Sequence, residues 1–433
     1  MRKLLSLIIV AMLVSGTSYG QFGKDLLNKV KSKTEGRANR KADETIDKAL
    51  DNVEGKSTAK NEPASAPATT ETAKTEKVEK TEEPALQSFS KFDFVPGEQV
   101  IYFDNFDGEA VAELPTGWNT NGSGEVVTLD KYKGNWLRLH APFIYLTSNT
   151  KGFTENYTAE FDIIMQLKSN GWMYPEVKVG LFSTKDESTT GNSFLTEYDK
   201  NAAITATFSP GEYKTSKVRI NSMLNNRDYF HSEAKPIPAI EQFYGKPLHI
   251  SIQVQKERFR MWVNEEKVFD VPKGVATEHV MNQLFFKITH TNYKDDQYAM
   301  YISNIKVATG KPDTRHKLVE EGKFSTTGIL FDVNSATIKP ESNGTLKEIA
   351  DVMKKFPEIK VKIVGHTDAD GSDAANLELS KKRAAAVKAT LSADFGIEEA
   401  RMVTDGKGET QPVADNKVKE GKAQNRRVEF IKQ

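Results

Sequence analysis

The sequence contains no cysteine. This absence excludes disulfides, thiolate metal sites, a cysteine nucleophile and the acylated cysteine of a lipoprotein. The sequence also lacks an excess of either charge, because 60 lysines and arginines balance 60 aspartates and glutamates. Nucleic acids and anionic membrane surfaces bind basic proteins, so neither is an expected partner. Beyond residue 20, the sequence has no apolar run of the roughly 20 residues that a transmembrane helix needs.

The first residues follow the three-part pattern of a secretory signal peptide. Two basic residues precede an apolar run from Leu4 to Val14, and small and polar residues follow up to Gln21. We therefore expect residues 1–20 to be a signal peptide that exports the protein. The alternative is an uncleaved membrane anchor, which the short length of the apolar run disfavours.

Two segments that bury little apolar surface come next. Residues 21–54 mix both charges around a thin apolar stripe at helical spacing, which predicts a short charged helix. Self-association as a coiled coil is the alternative, but the alanines of this stripe bury little area. Residues 55–95 consist largely of Ala, Thr, Lys, Glu and Pro, so we expect a disordered linker.

Residues 96–310 alternate between short β-type segments and turn residues. Segments such as "YTAEFDII", "HISIQVQ" and "QLFFKI" are separated by Gly, Asn, Asp and Pro, and "FRMWVNEEKVFDVP" predicts a hairpin that turns at Asn264 and Glu265. The pattern predicts an all-β sandwich of the jelly-roll kind. With the opening "FDNFDG" and the closing "MYISNIKVAT", it resembles the concanavalin-like or laminin-G-like sandwich domains. We expect this sandwich to present a binding surface to a glycan or an outer-membrane partner.

Two other classes of protein remain open for the same region. An outer-membrane barrel needs strands of about ten residues with an uninterrupted apolar lipid face, and the consecutive charges "KER" break that pattern. A glycoside hydrolase of this fold would use Glu160 and Asp162 of "AEFDIIMQ", but the second catalytic carboxylate is missing there. We expect no enzyme, and both carboxylates should point outward from a strand whose other face fills the core.

Two binding features of the predicted sandwich stay open as well. An exposed tryptophan among Trp118, Trp136, Trp172 and Trp262 would stack on a sugar ring, although tryptophan is as often a core residue. The acidic run "DNFDG" offers oxygen ligands for calcium, but three oxygens are few for that ion. We therefore predict no metal and no cofactor.

Residues 323–433 alternate strand and helix patterns. The strand pattern "GILFDVN" is followed by a helix with apolar residues at steps of three and four, then by "KVKIVGHTD", a second helix and two further strands. This order predicts a small α/β domain with the topology βαβαββ. The second helix is unusual, because the face that ends apolar begins with Asn376, Ser380 and Arg383.

An arginine on a core-facing side of a helix carries a desolvation penalty of several kcal/mol unless an anion pairs with it. Asp368, at the end of the preceding strand, is the expected partner of Arg383. Helix amides and Arg383 favour a carboxylate at this place, and Asp368 favours an ammonium, so the pair suits an amino-acid zwitterion. A purely structural ion pair between strand and helix is the alternative.

Five motifs of this region resemble, in order and spacing, the OmpA-like peptidoglycan-binding domain. They are "FDVNSATIKPES", "VGHTDADG", "NLELSKKRAAAV", "DGKGETQPVADN" and "NRRVEF". The resemblance implies that the domain holds the diaminopimelate of the stem peptide, with Asp368 meeting its amine and Arg383 its carboxylate. It places four further residues around this ligand: Phe331, Asn334, Asn376 and Arg426. Asp370 departs from the pattern, since some relatives have a neutral residue there.

The sequence thus predicts an exported cell-envelope protein of the periplasm, associated with the cell wall and the outer membrane. It binds peptidoglycan non-covalently through residues 323–433 and carries a β-sandwich for a second partner. No hydrolysis is expected, because no nucleophile with its base accompanies the charged pair. We predict His366 to be a packed, hydrogen-bonded histidine, since no second His or Glu stands at metal-ligand spacing.

Overall fold

The structure is a computed structural model that describes residues 93–433. The predicted signal peptide, the predicted helix at 21–54 and residues 55–92 of the predicted linker lie outside the described part of the chain. All of the described residues belong to one compact unit. No helix among them is long and apolar enough to cross a membrane.

Alternating apolar and polar residues build two antiparallel sheets, each of eight strands, before residue 310. In chain order the strands are β1 (Gln99–Asp104), β2 (Asn119–Thr120), β3 (Gly124–Thr128), β4 (Asn135–Leu139), β5 (Ile144–Leu146), β6 (Asn156–Leu167), β7 (Val177–Phe182), β8 (Ala202–Ser209), β9 (Lys217–Leu224), β10 (Arg227–His231), β11 (Lys235–Pro236), β12 (Pro247–Gln255), β13 (Arg258–Val263), β14 (Glu266–Val271), β15 (Gln283–Ile288) and β16 (Tyr298–Thr309). The first sheet has the order β14-β13-β12-β6-β16-β4-β3, with β1 also paired to β16. The second has the order β10-β9-β8-β7-β15-β5-β2, with β11 paired to β9.

Side chains from both sheets meet in one large apolar core. On β6, Ala159, Phe161 and Ile163 point into this core, as the alternation predicts. The predicted hairpin is present as β13 and β14, and Asn264 in its turn has a φ of 50°. The prediction of a mostly β region is therefore confirmed, whereas its jelly-roll connectivity stays a prediction.

A third, four-stranded sheet with helices follows in the C-terminal part. Its elements are β17 (Lys323–Thr326), α1 (Asn343–Lys355), β18 (Val361–His366), α2 (Asp373–Ala393), β19 (Met402–Gly408), α3 (Lys419–Asn425) and β20 (Val428–Lys432). The sheet has the order β17-β20-β18-β19, in which only β18 and β19 are parallel. Apolar residues of α1 and α2 pack on this sheet and form a second core.

Three sequence predictions need correction at the level of secondary structure. The first strand is β17, whereas "GILFDVN" is a loop held by a single bridge between Phe331 and Ile338. The order βαβαββ omits the short helix α3, which lies between the last two strands. The predicted linker ends too late, because Phe94 is already buried against the ring of Trp262, with centroids 5.3 Å apart.

The outer face of the first sheet carries a buried ionic network. Glu160 and Asp162 point away from the core, as expected, but both are buried rather than exposed to water. His249 Nδ1 donates to Asp162 at 2.6 Å, and Lys306 Nζ lies 2.9 Å from Glu160. Lys339, from the C-terminal part, reaches to 4.0 Å from Asp162. These carboxylates are therefore neutralised by fixed cations and covered, which is unlike the open pair that a glycosidase uses.

The chain enters the described region through a narrow seam between its two parts. Phe94 lies beside Trp262 of β13, and the backbone of Phe94 also passes directly over the first turn of α1 at Gly344. A Cβ added at Gly344 would collide with the carbonyl group of Phe94. Glycine is thus required here by the close approach of two backbones.

Replacing Gly344 by alanine tests this seam. Alanine normally favours a helix, but here its methyl group must push the chain at Phe94 away, and we expect Gly344→Ala to lower the free energy of unfolding by about 1–3 kcal/mol. Urea unfolding measures the effect. Gly152→Ala is the control, because nothing lies within 4 Å of an added Cβ there. A neutral or stabilising Gly344→Ala would contradict the packing.

The buried network predicts a pH dependence of stability. Burial alone would lower the pKa of His249, but hydrogen bonds to Asp162 and Glu160, and their charges, raise it to about 10. A raised folded-state pKa stabilises the protein fully below the unfolded value of about 6.5, and this contribution is lost as the pH rises through 10.

The variant His249→Gln should therefore be less stable than the wild type by about 3 kcal/mol at pH 6.5, because it removes the cation that contacts both buried carboxylates. The difference should shrink toward pH 10, as the wild-type imidazolium loses its proton. Urea unfolding at several pH values checks this. Exposed His231→Gln is the control and should follow the wild type. A difference in the free energy of unfolding between His249→Gln and the wild type that does not change with pH would contradict the raised pKa of His249.

Candidate functional site

The candidate site forms where β18 ends and α2 begins. After His366 the chain leaves the sheet at Asp368 and turns at Gly371, whose φ of 104° favours glycine. Ser372 caps the helix, because its hydroxyl accepts a hydrogen bond from the amide of Ala375. The sequence therefore places a carboxylate between a strand end and a helix start, which is a common ligand position in α/β folds.

Asp368 pairs with Arg426 rather than with Arg383. Arg426 Nη1 donates to Asp368 Oδ2 at 2.5 Å, and the backbone amide of Asp370 donates to Oδ1 at 3.2 Å. The side chain of Asp368 is largely buried. The expectation of a direct Asp368–Arg383 pair is therefore wrong, because the guanidinium of Arg426, which follows α3, is the group that pairs with the carboxylate.

Arg383 is a largely buried cation whose hydrogen bond goes to a carbonyl. Its Nε donates to the backbone oxygen of Ser335 at 3.0 Å, and its guanidinium lies 4.8 Å above the ring of Phe331. Burial, and then the like charge of Arg426, lower its pKa to about 10, although Asp368 acts in the opposite direction. No carboxylate among residues 93–433 forms an ion pair with it.

The two predicted asparagines have different surroundings. Asn376 is buried, and its amide group donates to the backbone oxygens of Asp368 and Asp370 and to the carboxylate of Glu409. It thus holds the loop that carries Asp368. Asn334 is exposed with a φ of 55°, a left-handed conformation that asparagine tolerates. It directly precedes Ser335, the residue that Arg383 contacts, and its contact with a ligand stays a prediction.

The structure brings five of the six predicted site residues into one connected group. Hydrogen bonds through the loop link Asp368 with Arg426 and Asn376. Arg383 stacks on Phe331, and the charges of Arg426 and Asp368 both influence its pKa. Arg426 pairs with the carboxylate of Asp368, whereas Arg383 has no ion-paired carboxylate among the described residues. The position of Arg383 therefore suits a ligand that brings a carboxylate.

Sequence reasoning missed several partners of this group. They are Phe103, Ser335, Glu409 and Lys422, of which Lys422 pairs with Asp370 at 2.6 Å. Ser335 lies within "FDVNSATIKPES" and Glu409 within "DGKGETQPVADN", so both stand in motifs that carried the family resemblance. Phe103 had no such signal, because it comes from the first sheet and is distant in sequence.

His366 is buried at the end of β18, with Nε2 lying 3.4 Å from Glu429. Burial raises the pKa of Glu429, but the contacts of its carboxylate with His366, Lys323 and Arg427, and the charge of Arg427, outweigh burial and hold this pKa below its usual range. His366 is thus packed as predicted, but neither of its ring nitrogens has a hydrogen-bond partner in the described part of the chain, so the expectation of a hydrogen-bonded histidine is wrong. Among the described residues, no group of three or more acidic or histidine side chains is arranged to hold a metal ion.

The acidic run "DNFDG" has protein partners of its own. Asp104 is buried, and its carboxylate accepts hydrogen bonds from the indole of Trp118 at 2.9 Å and from the amide of Phe106 at 3.0 Å. The ammonium of Lys419, on α3, lies 2.8 Å from the same carboxylate. The carboxylate of Asp104 is thus paired with a lysine of the protein itself.

Comparison with known proteins covers the C-terminal part. Residues 330–426 match the OmpA family. The chain is 44% identical over 101 residues to Outer membrane porin F of Pseudomonas aeruginosa, which is 23% of this chain and 29% of that protein. It is 43% identical over 102 residues to Probable lipoprotein YiaD of Escherichia coli, which covers 24% of this chain and 46% of that protein. It is also 43% identical over 101 residues to Outer membrane protein A of Bordetella avium, which covers 23% of this chain and 52% of that protein. The chain thus spans about half or less of the length of these relatives.

A solved structure with similarity to this chain is the peptidoglycan-associated lipoprotein from Burkholderia pseudomallei. The two chains are 33% identical with a TM-score of 0.23, and the match covers 25% of this chain and 89% of that one. The segment that matches the family contains Asp368, Arg383 and Arg426. Residues 330–426 of this chain therefore form an OmpA family domain.

Proposed function

We propose that residues 323–433 bind peptidoglycan non-covalently through the diaminopimelate of its stem peptide. The observation that carries this proposal is the largely buried guanidinium of Arg383, which has no carboxylate partner in the described part of the chain. A buried cation without an anion is costly, and the free carboxylate of diaminopimelate would supply the missing charge. The OmpA family match of the same segment supports the choice of ligand.

Asp368 provides the other half of the recognition. Its Oδ2 is occupied by Arg426, whereas its Oδ1 accepts only the backbone amide of Asp370 at 3.2 Å and keeps a lone pair for an ammonium group. An ammonium and a carboxylate on one carbon atom match these two positions. The proposed complex is held by charge-assisted hydrogen bonds alone, and the proposal includes no catalysis.

The proposed ligand implies a location. We infer that the protein lies in the periplasm, attached to the cell wall and close to the outer membrane. The relatives bear the names of outer-membrane proteins, and the signal-peptide pattern of residues 1–20 predicts export. Binding to the wall through one domain would leave the sandwich free to engage a second partner.

Co-sedimentation of the full chain with purified diaminopimelate-type sacculi tests the proposed site. Asp368→Ala and Arg383→Ala should each weaken binding by roughly 10–100-fold, because each removes a charge-assisted contact worth about 1.5–3 kcal/mol. Lys381→Ala is the matched control, since Lys381 is an exposed cation on the same helix that pairs with Glu378. Sacculi with lysine in place of diaminopimelate lack the second carboxylate and should bind worse. Undiminished binding by both site variants would reject the site.

A second proposal concerns the sandwich. Of its four tryptophans, Trp118, Trp136 and Trp262 are buried, whereas Trp172 is 64% exposed. Tyr213, which is 93% exposed, stands on a loop joined to that of Trp172, because the hydroxyl of Tyr174 donates to Glu212 at 2.8 Å. Two exposed aromatic rings favour the glycan-binding alternative, since each offers a flat apolar face to a sugar ring.

A glycan array probed with the full chain tests this surface. We expect Trp172→Ala to lose the signal of any glycan that the wild type retains, because the largest exposed ring is removed. The control is Tyr229→Ala, a less exposed aromatic residue on β10. The same signal from Trp172→Ala and the wild type would exclude this face, as would a wild type that retains no glycan.

A further inference from the structure

The first strand of the sandwich presents one aromatic side chain to the C-terminal part. In a regular strand, side chains alternate, so Val100 and Tyr102 would share one face of β1. A bulge between Val100 and Tyr102 changes this order. Ile101 and Tyr102 both enter the sandwich core, whereas Val100 and Phe103 both belong to a small cluster with Ala423 of α3. The bulge thus aims Phe103 outward, away from its own core.

The strand β1 is fixed to α3 by contacts of three kinds. The side-chain amide of Gln424 accepts a hydrogen bond from the backbone of Val100 at 2.8 Å and donates to the carbonyl of Glu98 at 3.1 Å. The ammonium of Lys419 lies 2.8 Å from Asp104 and 2.9 Å from Glu109. The pKa of Lys419 is affected first by burial, which lowers it, but these two carboxylates raise it overall. The apolar cluster of Val100 and Ala423 completes the contact.

This docking places Phe103 beneath one arginine of the candidate site. The guanidinium of Arg426 lies 4.8 Å from the centroid of the Phe103 ring, and its Nη1 donates to Asp368 at 2.5 Å. A chain of direct contacts therefore runs from the sandwich through Arg426 to the carboxylate proposed to hold the ligand amine. The other arginine has the same kind of support within the OmpA family domain, because Arg383 stacks on Phe331 at 4.8 Å.

We propose that Phe103 of the sandwich is a positioning residue for the wall-peptide site, acting through Arg426 on Asp368. This inference rests on the proposed function of the C-terminal part. An arginine side chain has about 2 kcal/mol of rotamer entropy, and an aromatic face that holds it in place leaves less to be lost when the ligand binds. The stack also leaves the edge of the guanidinium free for hydrogen bonds, so Arg426 keeps Asp368 oriented while the Oδ1 atom receives the ammonium.

The consequence is that the sandwich contributes to recognition of the stem peptide. Arg426 is the last residue of the segment that matches the OmpA family, and the ring beneath it belongs to β1 of the sandwich. Without the ring, the half-exposed guanidinium of Arg426 has only Asp368 to hold it, and both groups gain freedom that binding must remove. The effect on affinity should be that of one partly exposed cation–π contact, which corresponds to about three- to tenfold.

The test uses the full chain and a soluble disaccharide-tripeptide that contains meso-diaminopimelate, with Kd measured by calorimetry. Phe103→Leu keeps an apolar side chain and removes the aromatic face, so its Kd should rise about three- to tenfold. Phe103→Tyr keeps the face and should bind within about twofold of the wild type. Phe230→Leu makes the same change at another partly buried phenylalanine, on β10 of the second sheet, and should bind like the wild type.

A double-mutant cycle gives a readout that a general loss of stability would not produce. In the background of Arg426→Ala, the change Phe103→Leu should have no further effect on Kd, because the residue that Phe103 positions is gone. Equal Kd values for Phe103→Leu and the wild type would overturn the inference and leave the proposed function standing. Equal losses in Phe103→Leu, Phe103→Tyr and Phe230→Leu, or additive losses in the cycle, would also overturn it. A wild type that does not bind the probe would overturn both proposals.

Discussion

Charge that is taken out of water must be matched, and this constraint shapes both parts of the described chain. On the outer face of the first sheet, Glu160 and Asp162 are buried only because His249, Lys306 and Lys339 lie against them. The C-terminal part supplies one of the matching cations, and its packing depends on the charges it covers.

The candidate site obeys the same constraint except for one gap, because the guanidinium of Arg383 has no paired carboxylate in the described part of the chain. Asp368 is matched by Arg426, and Asp370 is matched by Lys422, whereas Arg383 has only a carbonyl and an aromatic ring. A guanidinium in this position keeps its charge, because a pKa of about 10 is still well above neutral pH. The carboxylate of the proposed ligand would pair with Arg383 and close this gap, while its ammonium would meet Asp368. The fold tolerates the gap because Phe331 and Ser335 hold Arg383 in place until a ligand arrives.

The sequence predicted what local patterns specify and missed what depends on packing between distant segments. The strand that ends at Asp368, the turn at Gly371 and the polar start of α2 all follow from neighbouring residues, and the family resemblance located Arg383 and Arg426 as well. The choice between these two arginines as the partner of Asp368 did not follow, because it depends on where α3 sits. The burial of Glu160 and the position of Phe103 were equally beyond a single-strand pattern, because Glu160 is matched by His249 and Lys306 from other strands and Phe103 lies beside Arg426 of the C-terminal part.

The seam at Phe94 has a mechanical consequence. The chain enters the described region between Trp262 of the first sheet and Gly344 of α1, while the proposed wall contact lies in the C-terminal part. A pulling force between the wall and the preceding chain would therefore be transmitted through the seam residues and would bypass the hydrogen-bonded ladder of the two large sheets. The two large sheets would then bear none of this force, and the sandwich would keep its structure while the envelope around it is stretched.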